Sequence, residues 1–241
     1  FRRVLFRSYR ALAVFAGIIG VAAFLLIPKN LVGKGASSPI EKRDIVRDYR
    51  DIFPDPVFRV VIIGMALCNL TILTNATQLK VILLERSLSS EAASWIISLF
   101  ALSVIGGRVI VGIALDRLPV HLVIAGSMAL PCLGLFILAS GVELPMAIAV
   151  AVSILGLSTG ADGDVMAFVV MRFFKVEIYG SVLGLVGASV ALSGAAGSLI
   201  LSWTLHLTGN FTLFLTITGV AAILGGGSFL LLGREKLLLA R

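Results

Sequence analysis

The stretch AASWIISLFALSVIGGRVIVGIALDR, residues 92–117, decides how the chain is read. From Ala92 to Leu115 it carries one charge, Arg108, and it ends on the pair Asp116-Arg117. Crossing the hydrocarbon of a bilayer takes roughly 20 mostly apolar residues, and residues 92–115 meet that length. Inside lipid each backbone amide must be paired within its own segment, so the stretch is predicted to be a helix.

The rest of the chain has the same character. Apolar residues make up 59% of the 241, and the mean hydropathy is +1.07. Charged residues are 14%, against about 25% in a typical soluble domain. A soluble chain of this length could not hide that much hydrocarbon in one core, whereas lipid can take it. Six further stretches have the length and polarity of spans: 11–28, 57–80, 120–140, 145–171, 178–205 and 211–232. The predicted architecture is an all-α, polytopic transmembrane helix bundle with seven spans. Cys68 and Cys132 both sit inside apolar runs and read as inert buried thiols, with no disulfide framework or metal site implied.

Basic residues orient the spans. Lys29, Lys34, Lys42, Arg43, Arg47, Arg50, Arg117, Arg172, Lys175, Arg234, Lys236 and Arg241 fall on one side, and Arg10, Lys80 and Arg86 on the other. The asymmetry predicts that the 29–56 connection and the C-terminus are cytoplasmic. In that connection, Ser38-Pro39-Ile40-Glu41 has the form of a capped helix start. Ile45, Val46, Tyr49, Ile52 and Phe53 follow at helical spacing among charges, as in an amphipathic helix lying on a membrane face.

One span, a linker helix and six more spans form a lopsided plan, which is expected if upstream spans are missing. Residues 1–8, FRRVLFRS, read as the translation of a sequencing-library adaptor. Setting aside Arg2, Arg3 and Arg7 takes the net charge from +7 to +4 (7 − 3), a basic balance that suits a membrane surface rather than nucleic acid. Residues 9–28 are then the last helix of a truncated N-terminal half, 29–56 a cytoplasmic linker, 57–233 a six-helix C-terminal domain and 234–241 a cytoplasmic tail.

Two segments carry a resemblance. GRVIVGIALDR (107–117) is similar to the loop motif of the major facilitator superfamily, with Gly112, Asp116 and Arg117 at the motif's positions. The motif's later basic pair is absent, and Pro119 and His121 stand there instead. GADGDVMAFVVMRFFKVEIYGSVLG (160–184) resembles the helix-10 to helix-11 stretch of bacterial monocarboxylate and oxalate/formate carriers. The resemblance implies two six-helix halves joined by a cytoplasmic linker, and it implies transport. In those carriers an arginine four residues before the motif glycine binds the substrate carboxylate, and Arg108 stands four before Gly112. The animal branch has a proton-coupling acid four before that arginine, where this chain has Val104. The oxalate carriers use a lysine in the equivalent of 178–205, where this chain has none, so a monoanion is expected over a dianion.

The residues themselves support parts of this. Gly112 would let a neighbouring backbone approach, Asp116 would accept from nearby helix N-termini, and Arg117 would reach phosphates or carbonyls at the rim; an ordinary charged turn would look the same. A charge in mid-membrane costs about 2.5–3.5 kcal/mol on insertion scales, so Arg108 should face a wet cavity or a partner. A guanidinium matches a planar carboxylate with two parallel N–H groups. Pairing with Asp162 or Asp164, or snorkelling to the rim, stays open.

Asp162 and Asp164 project about 200° apart on a helix, so both cannot face one cavity. Asp162 and Asp164 are the candidates for carrying a proton: Asp162 shares its face with Ser158 and Thr159 and is the better one, with a structural pair to Arg108 or Arg172 as the alternative, while Asp164, on the Gly160/Ala161 face, is expected to pair with a neighbouring helix. Thr71, Asn75 and Gln78 recur at i, i+4 and i+7 and predict either a water-facing wall or interhelical hydrogen bonds; as a wall they join Arg108 as substrate-binding candidates, with Asn75 and Gln78 lining the path. Gly180-xxx-Gly184, with Gly187, Gly194 and Gly197, has close-packing spacing, and so do Gly156, Gly160 and Gly163. Gly225-Gly226-Gly227 predicts packing or a bend. The sequons at Asn69, Asn75 and Asn210 read as accidental, since two fall within the bilayer.

Other classes fit less well. A retinal photoreceptor needs a lysine in its last span, and 211–232 has none. A seven-helix receptor is opposed only by the adaptor reading, which removes the significance of seven. An intramembrane aspartyl protease needs a Tyr-Asp pair, which the chain lacks. The expected function is therefore a secondary carrier, not an enzyme, for a small organic anion such as a monocarboxylate, proton-coupled and working by alternating access. A drug-efflux pump of the same superfamily is the alternative. The expected setting is a bacterial cytoplasmic membrane, with lipid, proton, anion and the missing N-terminal half as partners, and no cofactor, metal or nucleic acid.

Overall fold

The computed structural model describes residue 50, residues 52–86 and residues 88–233. The expected span 11–28, the adaptor-like start, most of the linker helix and the 234–241 tail lie outside the described residues. Among the described residues the fold is all helical, with no strand. The helices are α1 (Pro56–Cys68), α2 (Ile72–Thr77), α3 (Leu79–Glu85), α4 (Ser90–Arg117), α5 (Val120–Ala129), α6 (Pro131–Ala139), α7 (Pro145–Phe173), α8 (Tyr179–Thr208) and α9 (Thr212–Ser228). Five helical segments are long and apolar enough to cross a membrane: Ser90–Arg117, Val120–Ala139, Pro145–Phe173, Val176–Thr208 and Thr212–Gly233.

Local chemistry sets these limits. Asp55 caps α1 by accepting from the Val57 amide at 2.8 Å, with Pro56 in the first turn. Ser89 caps α4 by accepting from Ala92, with Glu91 in the first turn and Arg117 in the last, each matching the helix dipole. Pro131 has no amide hydrogen to donate, so the 120–139 segment divides into α5 and α6 there. Gly209, at φ 69°, closes α8 in a left-handed cap that a side chain would resist.

The expected continuous span 57–80 is not continuous. After Cys68 the chain tightens into a 3₁₀ turn at Asn69–Thr71, resumes as α2, breaks again at Gln78 and runs on as α3 to Glu85. Competition for one carbonyl accounts for the first break. The Met65 oxygen accepts both the backbone amide and the side-chain Nδ2 of Asn69, a local bond of the kind that loosens helix geometry.

Small residues determine how closely the helices meet, though not all of those singled out by spacing. A Cβ on Gly160 would collide with the Val104 carbonyl, and one on Gly107 with the Leu157 carbonyl. A Cβ on Gly156 would lie 2.6 Å from the Phe100 oxygen. These contacts make α4 and α7 nearly backbone to backbone. A second seam joins α8 to α1 and its 3₁₀ turn. Ser189 Oγ donates to the Ile62 carbonyl at 3.4 Å, Ser193 Oγ donates to the Ala66 carbonyl, and Gly197 leaves room for the Leu70 carbonyl. Gly225 and Gly226 seat α9 against Gly64 and Ala129, so they serve packing. By contrast a Cβ added at Gly112, Gly163, Gly180, Gly184, Gly187 or Gly227 would meet nothing within 4 Å among the described residues. The close-packing reading of Gly180-xxx-Gly184 is thus corrected. A four-residue spacing records a helix face, and Gly180 and Gly184 lie on the outward one.

Candidate functional site

Two apolar clusters fill the bundle, one toward each end. One gathers Phe58, Val61, Met65, Ile124, Val165, Val169 and Phe229; the other gathers Leu83, Ile96, Leu135, Val152, Leu155 and Phe214. Polar side chains lie between them, where an unpaired group is costly, and nearly all find partners. Ser158 Oγ donates to the Ser127 carbonyl at 2.9 Å, and Thr159 Oγ1 to the Leu155 carbonyl at 2.8 Å. Thr218 Oγ1 donates to the Phe214 carbonyl at 2.8 Å. Thr74 Oγ1 is buried without a hydrogen bond.

A cleft of about 30 Å³ opens in this layer, room for a water or two. Its polar lining comes from Asn69, Thr71, Asn75, Thr159 and Asp162, beside Cys68. Asp162 Oδ1 accepts from Asn69 Nδ2 at 3.1 Å, and the other hydrogen of that amide reaches the Met65 carbonyl at 3.0 Å. Asn75 Nδ2 donates to Thr71 Oγ1 at 3.5 Å. The cleft therefore sits where α1 gives way to the 3₁₀ turn, facing the middle of α7. Interrupted helices at mid-membrane are a recurrent setting for ion sites in transporters.

The structure brings together Thr71, Asn75 and Asp162 and leaves the other candidates elsewhere. Gln78 is half-buried at the break between α2 and α3 and does not line the cleft. Asp164 is exposed on the far side of α7, as the 200° separation requires; it pairs with no neighbouring helix among the described residues. Arg108 is exposed and forms no ion pair among the described residues, so the alternative of a bond to Asp162 or Asp164 is removed. Asp162 likewise pairs with Asn69 and not with Arg108 or Arg172. Arg108, Gly112 and Asp116 recur at i, i+4 and i+8 on one open stripe of α4, among exposed Ile105, Val109 and Ile113. Gly112 receives no neighbouring backbone there, and neither Asp116 nor Arg117 forms a hydrogen bond among the described residues. A separate cavity of about 150 Å³ is lined by His121, Arg172, Phe173 and Leu232 at the end of the bundle where α5 begins.

Asn69 is the residue that spacing did not single out. Its two amide hydrogens bridge α1 to the one half-buried carboxylate of the layer. A double-mutant cycle on Asn69→Ala and Asp162→Ala is expected to give a coupling of about 1–2 kcal/mol, the upper end for membrane hydrogen bonds because the acceptor is a carboxylate. Thermal unfolding in detergent measures it, and strictly additive losses would rule the contact out. No known protein family matches this chain, and no curated protein matches it significantly.

Proposed function

We propose that the chain is part of a secondary carrier for a small organic anion, of major facilitator type and resembling the monocarboxylate branch. The carrier works by alternating access and couples anion movement to a small cation, proton or metal, taken up at Asp162. The observation that carries this reading is the half-buried Asp162 in a water-sized cleft, between two apolar clusters and beside a broken helix. A carboxylate in such a place is costly as a lone anion, and one amide donor offsets only part of that cost. A group whose charge can be filled and emptied is what ion coupling needs.

Arg108 supplies the anion's counter-charge in this reading. It has no carboxylate partner among the described residues and stands on a stripe that Gly112 keeps open. A membrane arginine left unpaired toward an accessible face is suited to a substrate carboxylate, which it can hold through two parallel N–H groups. The carrier sits in a bacterial cytoplasmic membrane with the basic end of the bundle, Arg117, Arg172 and Lys175, inside.

The test is Arg108→Lys in the whole protein, reconstituted into proteoliposomes. Lysine keeps the charge and loses the planar fork. Monocarboxylate uptake is expected to fall at least tenfold, about 1.4 kcal/mol, while the variant elutes from a sizing column as the wild type does. Undiminished uptake would remove Arg108 from the pathway.

A further inference from the structure

We propose that the Asp162 cleft is a binding site for a dehydrated monovalent metal cation of the size of Na⁺. This deepens the carrier reading, on which it rests for its role in coupling, by naming the ion.

Donors and acceptors in the cleft do not balance. Both hydrogens of Asn69 Nδ2 are used, on the Met65 carbonyl and on Asp162 Oδ1. The Thr159 hydroxyl hydrogen is used on the Leu155 carbonyl, and one Asn75 amide hydrogen on Thr71 Oγ1. The donors left are the Thr71 hydroxyl hydrogen and the second hydrogen of Asn75. The acceptors left are more numerous: Asp162 Oδ2, Asn69 Oδ1, Asn75 Oδ1 and the lone pairs of Thr159. All belong to residues that line one small cavity. A water or two meets part of this surplus but leaves the charge of the carboxylate uncancelled, which only positive charge can do.

A proton on Asp162 would add one donor and leave most of the other oxygens unmet. A small cation takes several oxygens at once, and its charge is cancelled by the single carboxylate. Divalent ions are disfavoured, because Ca²⁺ sites gather six to eight oxygens, usually with several carboxylates, and Mg²⁺ retains waters that need more room. The cavity of about 30 Å³ accepts an ion that has shed its hydration shell and excludes the organic substrate itself. The 3₁₀ turn at Asn69–Thr71 places Asn69 and Thr71 on the same cleft, the kind of helix interruption at which transporters hold such ions.

The experiment is equilibrium binding of ²²Na⁺ to the whole protein in detergent, in choline chloride at constant ionic strength and pH and without organic anion. The wild type should bind ²²Na⁺ saturably, displaced by unlabelled NaCl and not by choline. Asp162→Asn should abolish the binding, and Thr159→Val should weaken it about tenfold or more, the scale of lost coordination support in metal sites. Absence of saturable binding in the wild type would overturn the site. So would unchanged affinity in Thr159→Val, which decides the matter even if Asp162→Asn does not fold. Because no anion is present, the result is independent of Arg108. Proton-driven anion uptake that persists without Na⁺ would leave the carrier reading standing and remove the coupling role of the Na⁺ site.

Discussion

Gly160→Leu is expected to yield no monodisperse protein in detergent, whereas Gly163→Leu, one turn along the same helix, is expected to elute as the wild type does. Both exchanges put the same bulk on α7, so intrinsic helix propensity and lipid solubility cancel in the comparison. What differs is the neighbour. A Cβ at Gly160 overlaps the backbone carbonyl of Val104, and a Cβ at Gly163 meets nothing within 4 Å among the described residues. A carbonyl inside a helix cannot rotate away as a side chain would, so α4 and α7 must part along their length. Overpacking relieved by side-chain shifts costs about 1–3 kcal/mol. Separating the seam forfeits more, because the contacts at Gly107 and Gly156 are lost with it. Fluorescence-detected gel filtration reads the outcome, and a normal peak for Gly160→Leu would mean that the two helices do not meet as described.

This contrast also shows how far sequence reading reaches. Of the seven spans counted from long apolar runs, five are span-length helices in the structure, because hydrocarbon thickness imposes a length that can be counted; 57–80 is broken and 11–28 lies outside the described residues. The angle between Asp162 and Asp164 was legible for a similar reason, since an unbroken helix turns about 100° per residue. Spacing could not tell which glycines face a neighbour. Gly180-xxx-Gly184 and Gly156-xxx-Gly160 have the same form, and only the second meets another backbone. The seam that α8 does form uses Ser189, Ser193 and Gly197, two of them hydroxyl residues that bond carbonyls of α1.

Asn69 escaped because the polar stripe Thr71, Asn75 and Gln78 was laid out on an ideal helix. On that helix residues 69 and 71 stand about 160° apart, on opposite faces. In a 3₁₀ turn, with three residues per turn, the separation closes to about 120°. Both residues then line the cleft, while Gln78, at the second break, does not. The competition for the Met65 carbonyl depends on what the Asn69 side chain meets across the bundle, and no periodic template contains that.

Asp162→Asn is expected to abolish uphill accumulation of the anion while leaving its exchange across the membrane intact. The amide is almost isosteric with the carboxylate, so the cleft keeps its shape. Its chemistry reverses, because an asparagine brings two N–H donors into a site where acceptors are in excess. Those donors satisfy oxygens that otherwise wait for an ion, and the negative charge that would attract the ion is gone. The cleft is then permanently in the electrostatic state of an occupied site. A carrier held in that state can rock between its two faces whether or not an ion is available, so an ion gradient no longer does work on the anion. Proteoliposomes with an imposed gradient should fall from a many-fold accumulation ratio to about one, a difference of about 1.4 kcal/mol of stored work for each tenfold of accumulation lost. Counterflow of labelled against unlabelled anion should continue at a comparable rate, which separates lost coupling from lost folding or lost binding. Accumulation that survives the exchange would place the coupling group somewhere other than α7. Loss of counterflow together with accumulation would instead make Asp162 a structural partner of Asn69 and nothing more.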